Sequence, residues 1–258
     1  MQKQILSKFI KSEALKLGFS ACGIAKAEYL ADDATYLQQW LSEGKHAGMS
    51  YLEQNVDKRT DPRLLFENVQ SVIVVLMSYY PEKLQNPALP QIAKYSYGKD
   101  YHPIIKQKLN LLLSQINALP LQKPVTARSF ADSSAVLERR WAQRAGLGWL
   151  GKNCTLIHPD FGSFCFIGGL VVDVELEYDT PMDEQCGKCN LCMEACPTKA
   201  LEDPRHINAS KCLSYHNLES KEDIPLAFHS MLSNRLYGCD SCQDVCPWNK
   251  KVPKTTIE

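Results

Sequence analysis

Eight of the eleven cysteines in this 258-residue chain fall between Cys186 and Cys246, seven of them in two runs, CGKCNLCMEACP (Cys186 to Pro197) and CDSCQDVCP (Cys239 to Pro247). Nothing else constrains the fold as strongly, because thiols this dense must be crosslinked or bound to metal, and chain wrapped around such a centre has little freedom left. A disulfide framework is disfavoured. The N-terminus does not read as a signal peptide, and 258 residues can bury a core without crosslinks. The expectation is a reducing compartment and a metal-bound tail.

The first run has the C-x2-C-x2-C-x3-C-P spacing of bacterial 4Fe-4S proteins, in which the fourth cysteine serves the other cluster of a pair. On that rule Cys186, Cys189 and Cys192 hold one cubane with Cys246, and Cys196 joins Cys239 and Cys242 on the second. The isolated Cys212, in KCLSYH, fills the vacant position, so the ferredoxin unit is interrupted by an insertion between Pro197 and Cys239. Two zinc knuckles would also use eight thiolates. The three-cysteine register, the proline after each run and the lack of paired histidines favour iron and sulfur.

Composition fits an enzyme with one sizeable domain and one small one: 45% of residues are hydrophobic and 22% charged. No apolar run reaches the length of a membrane span, and residues 1–18 read as an amphipathic helix with Ile5, Phe9 and Leu17 inward and Gly18 as its stop. A cytoplasmic monomer is expected. Net charge is zero, so any nucleic-acid face has to be local; Lys94, Lys99, Lys106, Lys108, Arg139, Arg140 and Arg144 are its candidates.

Extended segments rich in β-branched and aromatic residues occur at Ser20 to Lys26, Ser71 to Tyr80, Pro124 to Phe130 and Phe164 to Leu176. Helical periodicity lies between them at Asp33 to Ser42, His102 to Ala118 and Ser134 to Ala145. The reading is an α/β domain over residues 1–177 followed by a ferredoxin-type α+β domain over 178–258, divided in the turn-rich EYDTPMDEQ. No G-x-G-x-x-G opens a helix after a strand and no G-x-x-x-x-G-K-[ST] occurs, so neither a dinucleotide site nor a P-loop is supported. The glycine-dense loop GLGWLGKN (Gly146 to Asn153) follows a helix, and its bareness suits close approach to a large flat ligand, a helix C-cap being the ordinary alternative.

The strings YGKDYH (Tyr97 to His102), FADSSAVLERRWAQRAGLGWLGKN (Phe130 to Asn153), FGSFCFIGGL (Phe161 to Leu170) and the two cysteine runs together resemble epoxyqueuosine reductase, over nearly the whole chain. The resemblance implies a cobalamin-binding α/β domain related to reductive dehalogenases. It also implies reduction of epoxyqueuosine to queuosine at the tRNA wobble position, with the two clusters supplying electrons from an external ferredoxin or flavodoxin. Asp132 matches the family's proton donor, while an N-cap for the following helix is its ordinary alternative. By the same resemblance base-off cobalamin is expected at Arg59, Tyr97, His102, Asp132, Gly151, Lys152, Asn153, Cys154, Thr155 and Leu156. D-x-H-x-x-G is only half present, with Ile105 in place of glycine, and the resemblance implies binding without a histidine on the lower face, so His102 is not expected to ligate cobalt.

Many members of that family continue into helical repeats that grip tRNA, whereas this sequence runs to Glu258, as expected of either a short form or a truncated chain. Two other readings are open to test. A ferredoxin-like carrier would need neither cobalamin nor Asp132, and a small-molecule dehalogenase relative would be expected behind a twin-arginine leader that residues 1–18 do not carry.

Overall fold

The computed structural model describes residues 2–255. The front of the chain runs α1 (Lys3–Lys16), β1 (Ala21–Lys26), α2 (Ala31–Ser42), α3 (Val56–Thr60), β2 (Ser71–Ser78) and β3 (Gln91–Ile92). It continues through α4 (Tyr101–Asn117), β4 (Ala127–Phe130), α5 (Glu138–Arg144), β5 (Trp149–Leu150), β6 (Leu156–Ile157) and β7 (Cys165–Val172). The tail holds α6 (Leu191–Glu194), β8 (Leu201–Asp203), β9 (His206–Ile207), α7 (Leu226–Leu232), β10 (Arg235–Tyr237) and α8 (Ser241–Asp244).

Four strands form the main sheet in the order β1-β2-β7-β4, and every neighbouring pair is antiparallel. The run SVIVVLMS of β2 is almost continuously apolar because both faces of the sheet are covered. Ile73 and Val75 pack with Leu6, Ile10 and Ala14 of α1 and Ile105, Leu109, Leu112 and Ile116 of α4. Val72, Val74 and Leu76 face the other way, against Leu30, Trp141, Ala142 and Ala145. Each fully buried aliphatic side chain contributes about 1.5–3 kcal/mol, which fixes the register, since a one-residue slip would exchange the two faces. Gly169 of β7 is required by packing: a Cβ there would lie 2.2 Å from the Ile73 carbonyl oxygen and 2.5 Å from the Phe130 ring.

The inward stripe of α1 is Leu6, Ile10 and Ala14, with Phe9 and Leu17 at its edge and Ile5 54% exposed, so the sequence phase is out by one residue at the start. The helix expected from Ser134 begins only at Glu138, with Leu137 at its N-cap and no side-chain cap. Residues 131–137 form tight bends instead. Asp132 has a left-handed backbone, φ +60°, and is therefore not the N-cap that local sequence allowed.

The irregular stretch expected to divide the chain at 177/178 is strapped to the first domain, because Asp179 accepts a hydrogen bond from the Ile24 N–H (2.8 Å) and pairs with Lys11. The two parts also interleave. β3 of the front pairs in parallel with β10 of the tail, and Lys94 holds Asp240 through its backbone N–H (2.8 Å) and its ammonium (3.3 Å), the latter also reaching Asp244 at 2.6 Å. Among the described residues no helix is long and apolar enough to cross a membrane.

Candidate functional site

The tail brings the eight cysteines into two groups of four. Cys186, Cys189, Cys192 and Cys246 line one cavity of about 300 Å³, and Cys196, Cys212, Cys239 and Cys242 line a second, smaller one. The crossover follows from the short helices: α6 carries the end of the first run and α8 the end of the second, and the two pack against each other. Among the described residues no three metal-binding side chains close on a single point, as a lone ion needs. Thiolates spread around a wider hollow suit a cubane.

Backbone donors support that fit. The Ala200 N–H reaches Cys196 Sγ at 3.3 Å. Burial pushes the Cys212 thiol up while the N–H groups of Tyr215 and Ser214 pull it down, and Cys246 experiences the same opposition from burial and the N–H groups of Trp248 and Asn249. N–H groups aimed at sulfur stabilise the thiolate that iron requires.

Between the tetrads lies the hairpin β5–β6, whose tip is the glycine-dense loop. Gly148 takes φ +136°, and a Cβ on it would sit 2.1 Å from the Ile157 carbonyl oxygen, so only glycine closes this hairpin. The tip is pinned by Gly151 N–H to Thr155 O (2.8 Å) and Cys154 N–H to Gly151 O (2.9 Å). Lys152 points to the first tetrad and ties its loop down through Gly187 O (2.8 Å) and Asn190 Oδ1 (2.9 Å). Asn153, 4% exposed, lines the cavities of both tetrads.

A third cavity, of about 480 Å³, opens on the other side of the second tetrad, with Cys239 in both linings. Its apolar surface comes from Tyr79, Tyr95, Tyr101 and Phe166, the last two stacked at 3.8 Å with 10° between planes. Its polar surface holds His102, Asp132, Glu138 and Arg139, with Thr155 and Leu156 from the hairpin. An apolar concave wall with a few convergent polar groups is the usual build of a cofactor site. The lining therefore fits a large flat cofactor lying beside the second tetrad.

The polar groups are wired together. His102 Nδ1 meets Asp100 Oδ1 at 2.6 Å and His102 Nε2 meets Asp132 Oδ2 at 3.2 Å, so one imidazole links two carboxylates. Burial works to lower the His102 pKa, but the hydrogen bonds and charges of Asp100 and Asp132 prevail and raise it above its usual 6.5. Glu138 Oε1 accepts the Asp132 N–H at 2.5 Å and so helps hold its left-handed backbone. Burial pushes Glu138 up to about 7, with the Asp132 charge adding to the rise and its N–H opposing it. Arg139 donates to the Cys154 carbonyl at 3.0 Å.

Of the residues expected at a corrin, the cavity gathers His102, Asp132, Thr155 and Leu156, and it touches Cys154 through Arg139. Tyr97 lines a neighbouring cavity with Lys94 and Arg235. Arg59 lies outside all of these linings; its guanidinium is held by the carbonyls of Gln54 (3.1 Å) and Tyr51 (2.9 Å). Gly151, Lys152 and Asn153 belong to the tetrad side of the hairpin. Several residues proposed for a basic patch are likewise engaged internally: Lys94 with Asp240 and Asp244, Lys108 with the Leu17 carbonyl, Arg140 with Asp33 and Arg144 with Glu28. Sequence reasoning missed Glu138, Tyr101 and Phe166, whose only signal was their place inside strings already singled out, and assigned Arg139 to a basic face rather than to this cavity.

Two family models match. Residues 59–133 fit the family described as epoxyqueuosine reductase QueG, DUF1730, and residues 185–249 fit a 4Fe-4S double cluster binding domain. Curated relatives named epoxyqueuosine reductase include one from Leadbetterella byssophila, 46% identical over 98% of this chain and 83% of its own length, and one from Cellulophaga algicola, 45% identical over 96% and 80%. A crystal structure of an epoxyqueuosine reductase with an epoxyqueuosine-modified tRNA-Tyr stem loop superposes with a TM-score of 0.88 at 30% identity, covering 98% of this chain and 68% of the other. A catabolic reductive dehalogenase shares the fold at a TM-score of 0.56 and 17% identity, covering 99% of this chain and 33% of the other.

Proposed function

The chain belongs to the epoxyqueuosine reductase family, and on that premise we propose that Asp132 is the proton donor in a cobalamin- and iron-sulfur-dependent conversion of epoxyqueuosine to queuosine in tRNA. The observation that carries this reading is the shared position of Cys239. It lines both the second cysteine tetrad and the cavity that holds Asp132.

The residues that would hold the clusters are the two tetrads, and those that would hold the corrin are Tyr79, Tyr101, Phe166, Thr155 and Leu156 around the third cavity. When bound, the clusters carry single electrons and cobalamin supplies the reducing power for the epoxide, the protein contributing position and electrostatics. Converting the epoxide to an alkene takes up two electrons and two protons and releases the oxygen as water. Proton supply is therefore the protein's own chemical task.

The chain Asp100–His102–Asp132 meets it. Asp132 hands a proton to the oxygen released from the ring, and His102, drawn toward its protonated form by two carboxylates, returns one to Asp132 through the 3.2 Å contact. Glu138 holds the Asp132 backbone in the conformation that places this residue on the cavity wall. The stacked rings of Tyr101 and Phe166 give the cavity an apolar wall. An external donor, a small ferredoxin or flavodoxin, belongs at the first tetrad, whose rim includes the exposed Gln185 and Leu191.

The test is anaerobic reconstitution of both clusters, addition of cobalamin and a strong reductant, and incubation with an anticodon stem-loop carrying epoxyqueuosine. Mass spectrometry should show loss of one oxygen from the nucleoside only when cobalamin is present. Cobalamin-independent conversion, or tight cobalamin binding without conversion of any tRNA form, would contradict the reading.

A further inference from the structure

Asn153 stands where no cofactor ligand is needed and yet is tightly specified. Its side-chain oxygen accepts the Thr155 hydroxyl at 2.8 Å and the Thr155 N–H at 3.3 Å. A backbone N–H can only donate, so the amide cannot be turned around, and Nδ2 must point away from Thr155. Gly151 leaves room for this arrangement, since a Cβ there would lie 2.6 Å from Asn153 Oδ1. The residue is 4% exposed, and Nδ2 has no hydrogen-bond partner in the protein.

A buried amide N–H without a partner costs about 1–3 kcal/mol, so a geometry that enforces one calls for an acceptor from outside the chain. The candidates are limited by the linings. Asn153 borders the cavity of Cys186, Cys189, Cys192 and Cys246 and also that of Cys196, Cys212, Cys239 and Cys242. The acceptors available in those hollows are cluster sulfides and ligating thiolates.

Resting on the reading of the tetrads as cluster sites, we infer that Asn153 Nδ2 donates a hydrogen bond to a cluster sulfur at the wall between the two centres and thereby raises that cluster's reduction potential. Sulfur becomes more negative when the cluster accepts an electron, so an N–H aimed at it stabilises the reduced form preferentially. Asn153 thus sets the potential step between the two centres. It is a cluster-tuning residue rather than a corrin contact.

The experiment is an EPR-monitored redox titration of the anaerobically reconstituted chain against Asn153→Leu and Asn153→Asp, with iron and sulfide measured first. Asn153→Asp keeps an acceptor for Thr155 and so guards against simple misfolding. In either variant that carries wild-type iron and sulfide, one cluster should become harder to reduce by about tenfold, equivalent to about 59 mV for one electron. The second readout needs no variant to fold: wild-type protein grown with asparagine labelled with ¹⁵N at the side-chain amide should show a ¹⁵N hyperfine coupling to a reduced cluster. Unchanged potentials in a fully loaded variant, or no such coupling in the wild type, would overturn the inference. Failure of the wild type itself to bind eight irons would instead overturn the cluster reading on which it rests.

Discussion

The two cysteine tetrads carry the same ligands and have different surroundings. The first has the exposed Gln185 and Leu191 at its rim, and Lys152 reaches across it to hold its loop. The second is enclosed by the buried Thr198, Ala200, Leu201 and Leu213, and one of its ligands, Cys239, also faces the large cavity. Burial accordingly pushes the Cys242 thiol well above its ordinary range. On the proposed function the difference implies an order, with the first tetrad meeting a donor from outside and the second serving the site within.

The sharpest way to break that order is to damage one tetrad at a time. Cys212→Ser should remove the second cluster, halve the iron content and abolish conversion of the epoxide under any reductant. Cys189→Ser should halve the iron as well but retain slow conversion with a small chemical reductant, which can approach the second tetrad without a docked protein. Equal loss of activity in the two variants, at matched iron content, would remove the order from the account.

Asp132→Asn sharpens the comparison from the cavity side. It should lower turnover by about 10²–10⁴-fold, the usual worth of a positioned general acid, with iron content and bound cobalamin unchanged. Single-turnover rates check this, and a near wild-type rate would exclude Asp132 as donor.

Lys94→Met tests how the second tetrad is fastened to the front domain. Removing the ammonium leaves the buried Asp240, next to the ligand Cys239, with only the Lys94 backbone N–H, a loss bounded by the about 3–5 kcal/mol of a fully broken buried pair. Chemical denaturation should show that loss, and iron should leave the second tetrad before the first.

The smallest expected effect is in the pH dependence of stability. Unfolded, Glu138 titrates near its ordinary 4.5, whereas burial in the folded chain pushes it up to about 7. Between these values the folded state keeps a proton that the unfolded state has lost, so this group makes stability fall as pH rises from about 4.5 to about 7. Glu138→Gln should flatten that window, and an unchanged slope would show that Glu138 titrates normally.

The tail was the more legible region because ligand spacing is a local code. Cys186, Cys189, Cys192 and Cys196 sit on one short run whose register dictates the crossover, and Cys212 followed from the one position left vacant. The cavity is written differently. Tyr101 comes from α4, Phe166 from β7, Glu138 from α5 and Thr155 from the hairpin, and no spacing announces that such distant segments converge. The hairpin shows the limit most clearly. Lys152 and Asn153 end a quoted string and Thr155 and Leu156 follow just beyond it, but the chain turns at Cys154, φ +64°, and sends the two pairs toward different centres. A string match places a segment, whereas only the backbone decides which way each side chain points.

The central claim is that the second tetrad, and not the first, adjoins the cobalamin cavity. Its most direct test is EPR of the reduced, cobalamin-loaded protein, reading the magnetic coupling between cobalt(II) and a reduced cluster. The coupling should persist in Cys189→Ser, which retains the second cluster, and vanish in Cys212→Ser, which retains the first. Coupling that survives in Cys212→Ser, or disappears in Cys189→Ser, would contradict the arrangement described above.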